Sequence, residues 1–285
     1  ALLRDSRTRI ALVVLLLVTL GAILAPVLAP FDPTAQLDIE RLQSLPPSAA
    51  HPFGTDPYSR DVLSRLIYGS RVSLAVGLGS VALAMSFGIA VGLVAGFLGG
   101  AVDAVLMRLV DAAISVPRLL VLIMVASLWG RLGVVPITLL MAGTGWFPVS
   151  RLVRTETLAL RDREFIIAAR ALGVPTPRLL VRHLLPNVIA PALVAAALSI
   201  ANVILLEAAL SYLGIGIRPP TASWGAIIED GAERVAELWW LTLFPGLAIL
   251  VTVFACNALG DALRDAFDPR QLPRHDSDAL FASEA

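Results

Sequence analysis

RLVRTETLALRDREFIIAARALGVPTPRLLVRHLLPN, residues 151–187, is the polar break in an otherwise apolar stretch of chain. It carries seven arginines, Arg151, Arg154, Arg161, Arg163, Arg170, Arg178 and Arg182, between two long apolar runs. Ala168-Ala169-Arg170-Ala171-Leu172 is a strong helix former. Gly173 can take a positive φ and stop that helix. Residues 178–185 suit a second short helix, ended near Pro186. The expected form is a helix–turn–helix lying on a membrane surface. A segment of about 30 residues is long for a plain connector, so it reads as a docking surface. The plainer alternative is a positively charged loop with no partner.

Outward from this segment, composition sets the class. The chain has 285 residues, is 57% hydrophobic and 15% charged, and has a mean hydropathy of +0.81. A soluble domain of this size does not hide so much apolar surface. Several runs reach the ~20 residues that cross a bilayer. The fold class is an all-α polytopic membrane protein, because spanning backbone must satisfy its own hydrogen bonds. Alternating barrel segments of about ten residues are absent from the sequence. Net charge is zero, which gives no bulk case for nucleic acid. All 22 basic residues are arginine, a coding bias rather than a mechanism. Cys256 is the single cysteine, so no intrachain disulfide or thiolate metal site can form.

Six spans are expected, near 10–29, 73–98, 103–128, 134–150, 188–213 and 239–260. The first follows Arg4, Arg7 and Arg9, a flank that a signal peptide shares, but its length favours a retained transmembrane helix. Residues 1–9 form a short N-terminal segment, 30–70 and 214–238 polar loops, and 261–285 a polar tail. Gly77, Gly79, Ser80, Gly88, Gly92 and Gly96 in the second span suit close helix–helix approach in lipid. With the N-terminus inside, the cytoplasmic side carries 14 arginines and the outer side seven, Arg118 set aside. Both termini then face the cytoplasm, and Trp239 and Trp240 fall at the outer interface as belt residues.

The spacing in the polar break resembles the EAA loop of bacterial binding-protein-dependent ABC importer permeases. That pattern is Glu-Ala-Ala, three residues, Gly, nine residues, Ile, one residue, Leu-Pro. Ala168, Ala169, Gly173, Leu185 and Pro186 match it, while Ile167 replaces the glutamate and His183 the isoleucine. The resemblance implies that Glu164, Ala168, Ala169, Arg170, Gly173, His183, Leu185 and Pro186 form the ATPase-coupling loop. The run from His51-Pro-Phe-Gly through Asp56, Arg60, Asp61 and Arg65 to Arg71-Val-Ser-Leu looks like the box after the first span in C-type permeases for dipeptides, oligopeptides and nickel. Ser211-Tyr-Leu-Gly-Ile-Gly216, Pro219-Pro220 and Ser223-Trp224-Gly225 look like their second outer loop. Asp261-Ala-Leu-Arg264-Asp265-Ala-Phe-Asp268-Pro269-Arg270 looks like their C-terminal end. The resemblance covers about residues 10–270.

What the resemblance implies is a six-helix ABC type I importer permease in the bacterial cytoplasmic (inner) membrane. The first helix at 10–29 would precede a five-helix core over 71–260. That core would hold the coupling loop at about 151–187 and an outer loop at 214–238. Its partners would be a homologous permease, two ATP-binding cassette ATPases that hold ATP and Mg, and an extracytoplasmic substrate-binding protein. The solute would be a peptide, or nickel or another small solute. This chain would hold no cofactor and do no catalysis. Consistent with that, it has no Gly-x-x-x-x-Gly-Lys phosphate loop, having no lysine, and His51, His183 and His275 are scattered. A secondary transporter or channel is the alternative, but it predicts repeats or broken helices with charged centres, and neither stands out. A membrane enzyme would need a catalytic constellation, and none is visible.

Charge at depth adds the last candidates. Asp56, Arg60, Asp61 and Arg65 form an outer-loop cluster that either clamps the loop with Trp224, contacts a partner, or is simply a solvated patch. Arg118, after Pro117 in the third span, and Glu207 in the fifth lie at similar depth. They read as an ion pair, as pathway lining, or as independent snorkelling groups. Asp111, one turn from Arg108, is expected to pair with it.

Overall fold

The computed structural model describes residues 5–129 and 132–267. Arg4, Arg131 and the tail residues Asp268, Pro269, Arg270, Arg274 and His275 lie outside the described residues. The elements are α1 (Ser6–Ile23), α2 (Ala25–Leu28), α3 (Ile39–Leu42), α4 (Val62–Leu98), α5 (Gly100–Ile114), α6 (Arg118–Trp129), α7 (Val134–Arg161), α8 (Glu164–Ala171), α9 (Thr176–Arg178), α10 (Leu185–Tyr212), α11 (Trp224–Gly231) and α12 (Trp239–Phe267). A π-type turn over Leu179–Leu184 joins α9 to α10. The described residues are predominantly helical, with two isolated backbone bridges and no named strand among them.

Among the described residues four helical stretches are long and apolar enough to cross a bilayer: Ser6–Ile23, Val62–Leu98, Thr176–Tyr212 and Trp239–Phe267. The expected third span is not one rod. It breaks after α5 and resumes in α6 at an angle of 79°. Pro117 explains the break: it offers no N–H to the ladder and drives the preceding residue out of the helical region. The two pieces pass the spanning test only as a pair. α7 has 28 residues, but Thr138, Gly143, Thr144, Gly145, Pro148 and Ser150 dilute its apolar run.

Glycine sets the central packing. A Cβ on Gly88 would lie 2.7 Å from Val149 Cβ, one on Gly92 2.6 Å from the Ser150 carbonyl, and one on Gly96 2.7 Å from Thr157 Cβ. These three sit four residues apart on one face of α4, so α7 lies against bare backbone. The main apolar core joins α4, α6, α7 and α10 through Val76, Leu93, Leu122, Ile137, Met141 and Val188. A second cluster joins α1, α4, α10, α11 and α12 through Ala22, Leu74, Ile204, Trp224 and Ile249.

Several boundaries differ from the sequence reading: α7 runs to Arg161, eleven residues past the expected end at 150, and α12 runs to Phe267 rather than 260. α4 starts at Val62, eleven residues before the expected span, because Asp61 caps it: its carboxylate accepts from Ser64 N at 2.8 Å. Pro186 does not end a helix. Leu185 N bonds to Leu180 O, and Asn187 Nδ2 donates to His183 O at 2.6 Å. The wider turn absorbs the register change just before proline, and the rod runs on to Tyr212.

Candidate functional site

The polar segment folds back on the bundle at one end of it. In α8, Ile166 and Ala169 are buried, while Glu164, Ala168 and Arg170 are exposed. Gly173 has φ +76°, its N–H bonds to Arg170 O at 2.9 Å, and Val174 N bonds to Ala169 O at 3.1 Å. This paired closure is a Schellman turn, and the positive φ favours glycine. Arg170 lays its guanidinium over the Phe97 ring at 4.4 Å, which ties α8 to the end of α4. Leu179 and Leu184 are buried, and His183 and Leu185 are partly buried. The turn leaves Leu172 85% exposed beside Ala168 and Gly173. The result is an apolar knob on an anchored helix pair.

Ion pairs fix the same end. Arg154 clasps Asp103 with Nε at 2.9 Å and Nη2 at 2.5 Å, tying α7 to α5. Arg161 Nη1 donates to Gly96 O at 3.3 Å. Asp111 pairs with Arg151 at 3.5 Å rather than with Arg108 as expected. The neighbouring helix offers the nearer cation.

At the opposite end the structure brings Asp56, Arg60, Asp61, Arg65 and Trp224 together. Asp56 is buried and accepts from Tyr58 N at 2.8 Å, Arg60 N at 2.9 Å and Arg60 Nε at 2.6 Å. Arg65 Nη1 also bonds to Asp56. Both arginines reach Asp230 at the end of α11, Arg60 at 2.9 Å and Arg65 at 2.5 Å. Asp61 holds His51 Nδ1 at 2.9 Å as well as capping α4. Trp224 is buried, and its indole N–H donates to Leu66 O at 3.2 Å. Trp240 is not a belt residue: it is buried and donates to Thr55 O at 3.0 Å, whereas Trp239 is 45% exposed. A polar cavity of about 460 Å³ opens beside this network, edged by Tyr58, Arg60, Arg65, Pro220, Glu229 and Glu233.

Arg118 and Glu207 do not pair. Glu207 is fully buried and accepts from Ser211 Oγ at 2.8 Å, Ser223 Oγ at 2.8 Å and Ser73 Oγ at 3.4 Å. Each serine accepts a backbone N–H in turn: Ser211 from Ile217, Ser223 from Ala226 and Ser73 from Trp224. Donors thus run one way, inward to the carboxylate, and join α4, α10 and α11. Arg118 donates to Thr144 Oγ1 at 3.0 Å and to Met141 O at 2.8 Å. The 79° break displaces Arg118 from the depth that a straight rod would give it.

Sequence reasoning missed Asp230 and the three serines. Ser211 stands one turn after Glu207, and Ser223 precedes Trp224 as a helix cap, so both carried a local signal. Asp230 lies 165 residues from Arg65 and carried none.

Residues 88–272 match the family of binding-protein-dependent transport system inner membrane components. Residues 1–47 match the N-terminal transmembrane domain of oligopeptide transport permease C. The chain is 37% identical over 275 residues to the oligopeptide transport system permease protein OppC of Bacillus subtilis, covering 95% of this chain and 88% of that one. It is 38% identical over 260 residues to the dipeptide transport system permease protein DppC of the same organism, covering 91% and 80%. The DppC of Alkalihalophilus pseudofirmus is 38% identical over 269 residues, covering 93% and 87%.

Proposed function

The chain belongs to the family of binding-protein-dependent transport system inner membrane components, and we propose that it is one transmembrane subunit of an ATP-driven peptide importer. The observation that carries this reading is the anchored α8–Gly173 turn with its exposed Leu172. A knob on a buried base transmits force, whereas a plain connector has no need of one. The coupling residues are Glu164, Ala168, Ala169, Arg170, Gly173, His183, Leu185 and Pro186. They dock on separate ATPase subunits that bind ATP and Mg. A homologous permease completes the pathway.

Six crossings follow if the α5–α6 pair and α7 each cross once. The contacts group the helix ends in support of this. Arg154 with Asp103 and Arg161 with Gly96 gather one end. The backbone bonds of Leu132 with Gly216 and Arg218 gather the other. The arginine bias puts the first end and both termini in the cytoplasm. The second end, with Asp56, Arg60, Asp61, Arg65 and Trp224, is clamped as the outer cap and receives a substrate-binding protein. The names of the relatives support oligopeptides or dipeptides as the solute. The test is uptake of a labelled dipeptide into proteoliposomes holding the full assembly. Gly173→Leu removes both uptake and stimulation of the ATPase by loaded binding protein while leaving the subunit in the bilayer. Full stimulation in that variant removes the turn from coupling.

A further inference from the structure

Arg118 stands where a cation is doubly disfavoured. It opens α6, at the helix end whose dipole repels positive charge. It also lies in the spanning part of the chain, where an uncompensated charge is expensive. Its bonds go to neutral groups, the Thr144 hydroxyl and the Met141 carbonyl, and no carboxylate pairs with it among the described residues. A guanidinium carries five N–H donors, and these two bonds occupy two of them. Among the described residues the fold thus holds a cation in place without supplying its counter-charge.

Thr144 links this group to open space. It lines a cleft of about 780 Å³ between α6 and α7. The walls are apolar, with Val121, Val125, Trp129 and Leu140 among them. Among the described residues no acidic side chain lines the cleft, and Arg218 stands on its wall, exposed and without an ion pair. The inner side of Arg118 packs on Gly145, where a Cβ would lie 3.2 Å from Nη2. Arg118 itself borders a separate cavity of about 20 Å³ with Ser80 and Ser199, which has room for about one water, and it reaches the cleft through its bond to Thr144.

We propose that this cleft is a solute subsite in which Thr144 and Arg118 meet a carboxylate of the transported molecule, with Arg218 as a second cation on its wall. Apolar walls accept side chains of varied shape, while a charge-assisted bond to the carboxylate fixes orientation. The assignment rests on the peptide-importer reading. Arg118 is then a specificity-determining residue rather than a brace between helices.

The test compares uptake of a dipeptide and of its C-terminal amide by the complete transporter, with the binding protein saturating. Arg118→Gln is expected to cut dipeptide uptake about tenfold more than amide uptake, the scale of one charged hydrogen bond. Arg118→Lys keeps most of the wild-type ratio. Equal losses on both peptides, or no loss, overturn the proposal. If the wild type takes up the dipeptide alone, a loss in Arg118→Gln that Arg118→Lys does not restore also overturns it. A second arm does not depend on the solute. In a Cys256→Ser background, Arg118→Cys is expected to react with a small cationic methanethiosulfonate, as Thr144→Cys does. A Thr144→Cys that reacts beside an inert Arg118→Cys seals Arg118 off and overturns the subsite. If the wild type imports neither peptide but Arg118→Cys is labelled, the peptide reading fails and the water-reachable cation stands.

Discussion

Gly92→Ala adds one methyl group where α4 and α7 touch. Its Cβ would lie 2.6 Å from the Ser150 carbonyl oxygen and 2.7 Å from Val153 Cβ, against 3.4 Å at the near edge of ordinary contact. The helices must therefore separate by about 0.8 Å at that level, and a gap of that size forfeits a quarter to a half of each contact's attraction. Overpacking of this kind costs about 1–3 kcal/mol. Alanine returns about 0.5–1 kcal/mol through its helix preference. The net loss is about 0–2.5 kcal/mol, or a midpoint lower by up to about 5 °C for a chain of this length. Gly246 in α12 supplies the control, because nothing lies within 4 Å of its added Cβ. Gly246→Ala should raise the midpoint by about 1–3 °C. Cys256, the single cysteine and buried, reports the transition through its rate of reaction with a fluorescent maleimide as the purified protein is heated. The two substitutions should move the midpoint in opposite directions. A Gly92→Ala midpoint above that of the wild type would refute the tight packing at Gly92.

Asp56→Asn removes the charge that Arg60 and Arg65 share with Asp230. Breaking a buried pair costs about 3–5 kcal/mol, and the loss should appear as faster proteolysis between residues 43 and 60, with unchanged cleavage refuting the clamp. Arg118 and Glu207 have separate partners. Arg118→Ala and Glu207→Gln should therefore add to within about 0.5 kcal/mol in a double-mutant cycle of thermal stability, and a coupling above 1 kcal/mol would contradict the separation. A probe at residue 173 should react only from the cytoplasmic side of intact cells, and one at residue 56 from outside; the reverse pattern inverts the proposed topology.

The apolar runs made most of the helices legible, because hydropathy records where lipid must be met. It does not record where a helix ends. α4 runs back to Val62 through Arg65 because Asp61 caps it, and capping is indifferent to the membrane boundary. Gly173 was readable because one residue's backbone freedom decides its turn. The fate of Glu207 was not, since its three serines come from positions 73, 211 and 223 and serine is unremarkable at any one of them. The rule that intramembrane charges pair failed here because hydroxyls with a single donor direction can satisfy a carboxylate instead. Trp240 has the composition of a belt residue, and a loop folded over it from 185 residues away, at Thr55, makes it a core one.

The stretch from Thr176 to Tyr212 is helical without interruption over 37 residues, a length of roughly 55 Å. That exceeds the roughly 30 Å of hydrocarbon, so a single lever has one arm beside the Gly173 turn and the other among the serines around Glu207. Its compliance is concentrated low, at the π-type turn and at Pro191. A tilt of about 5° there would swing Glu207 sideways by roughly 3 Å, about the length of the hydrogen bonds that hold it. A stroke at one face would thus arrive at the other as a choice between keeping the serine contacts and dragging α11 along.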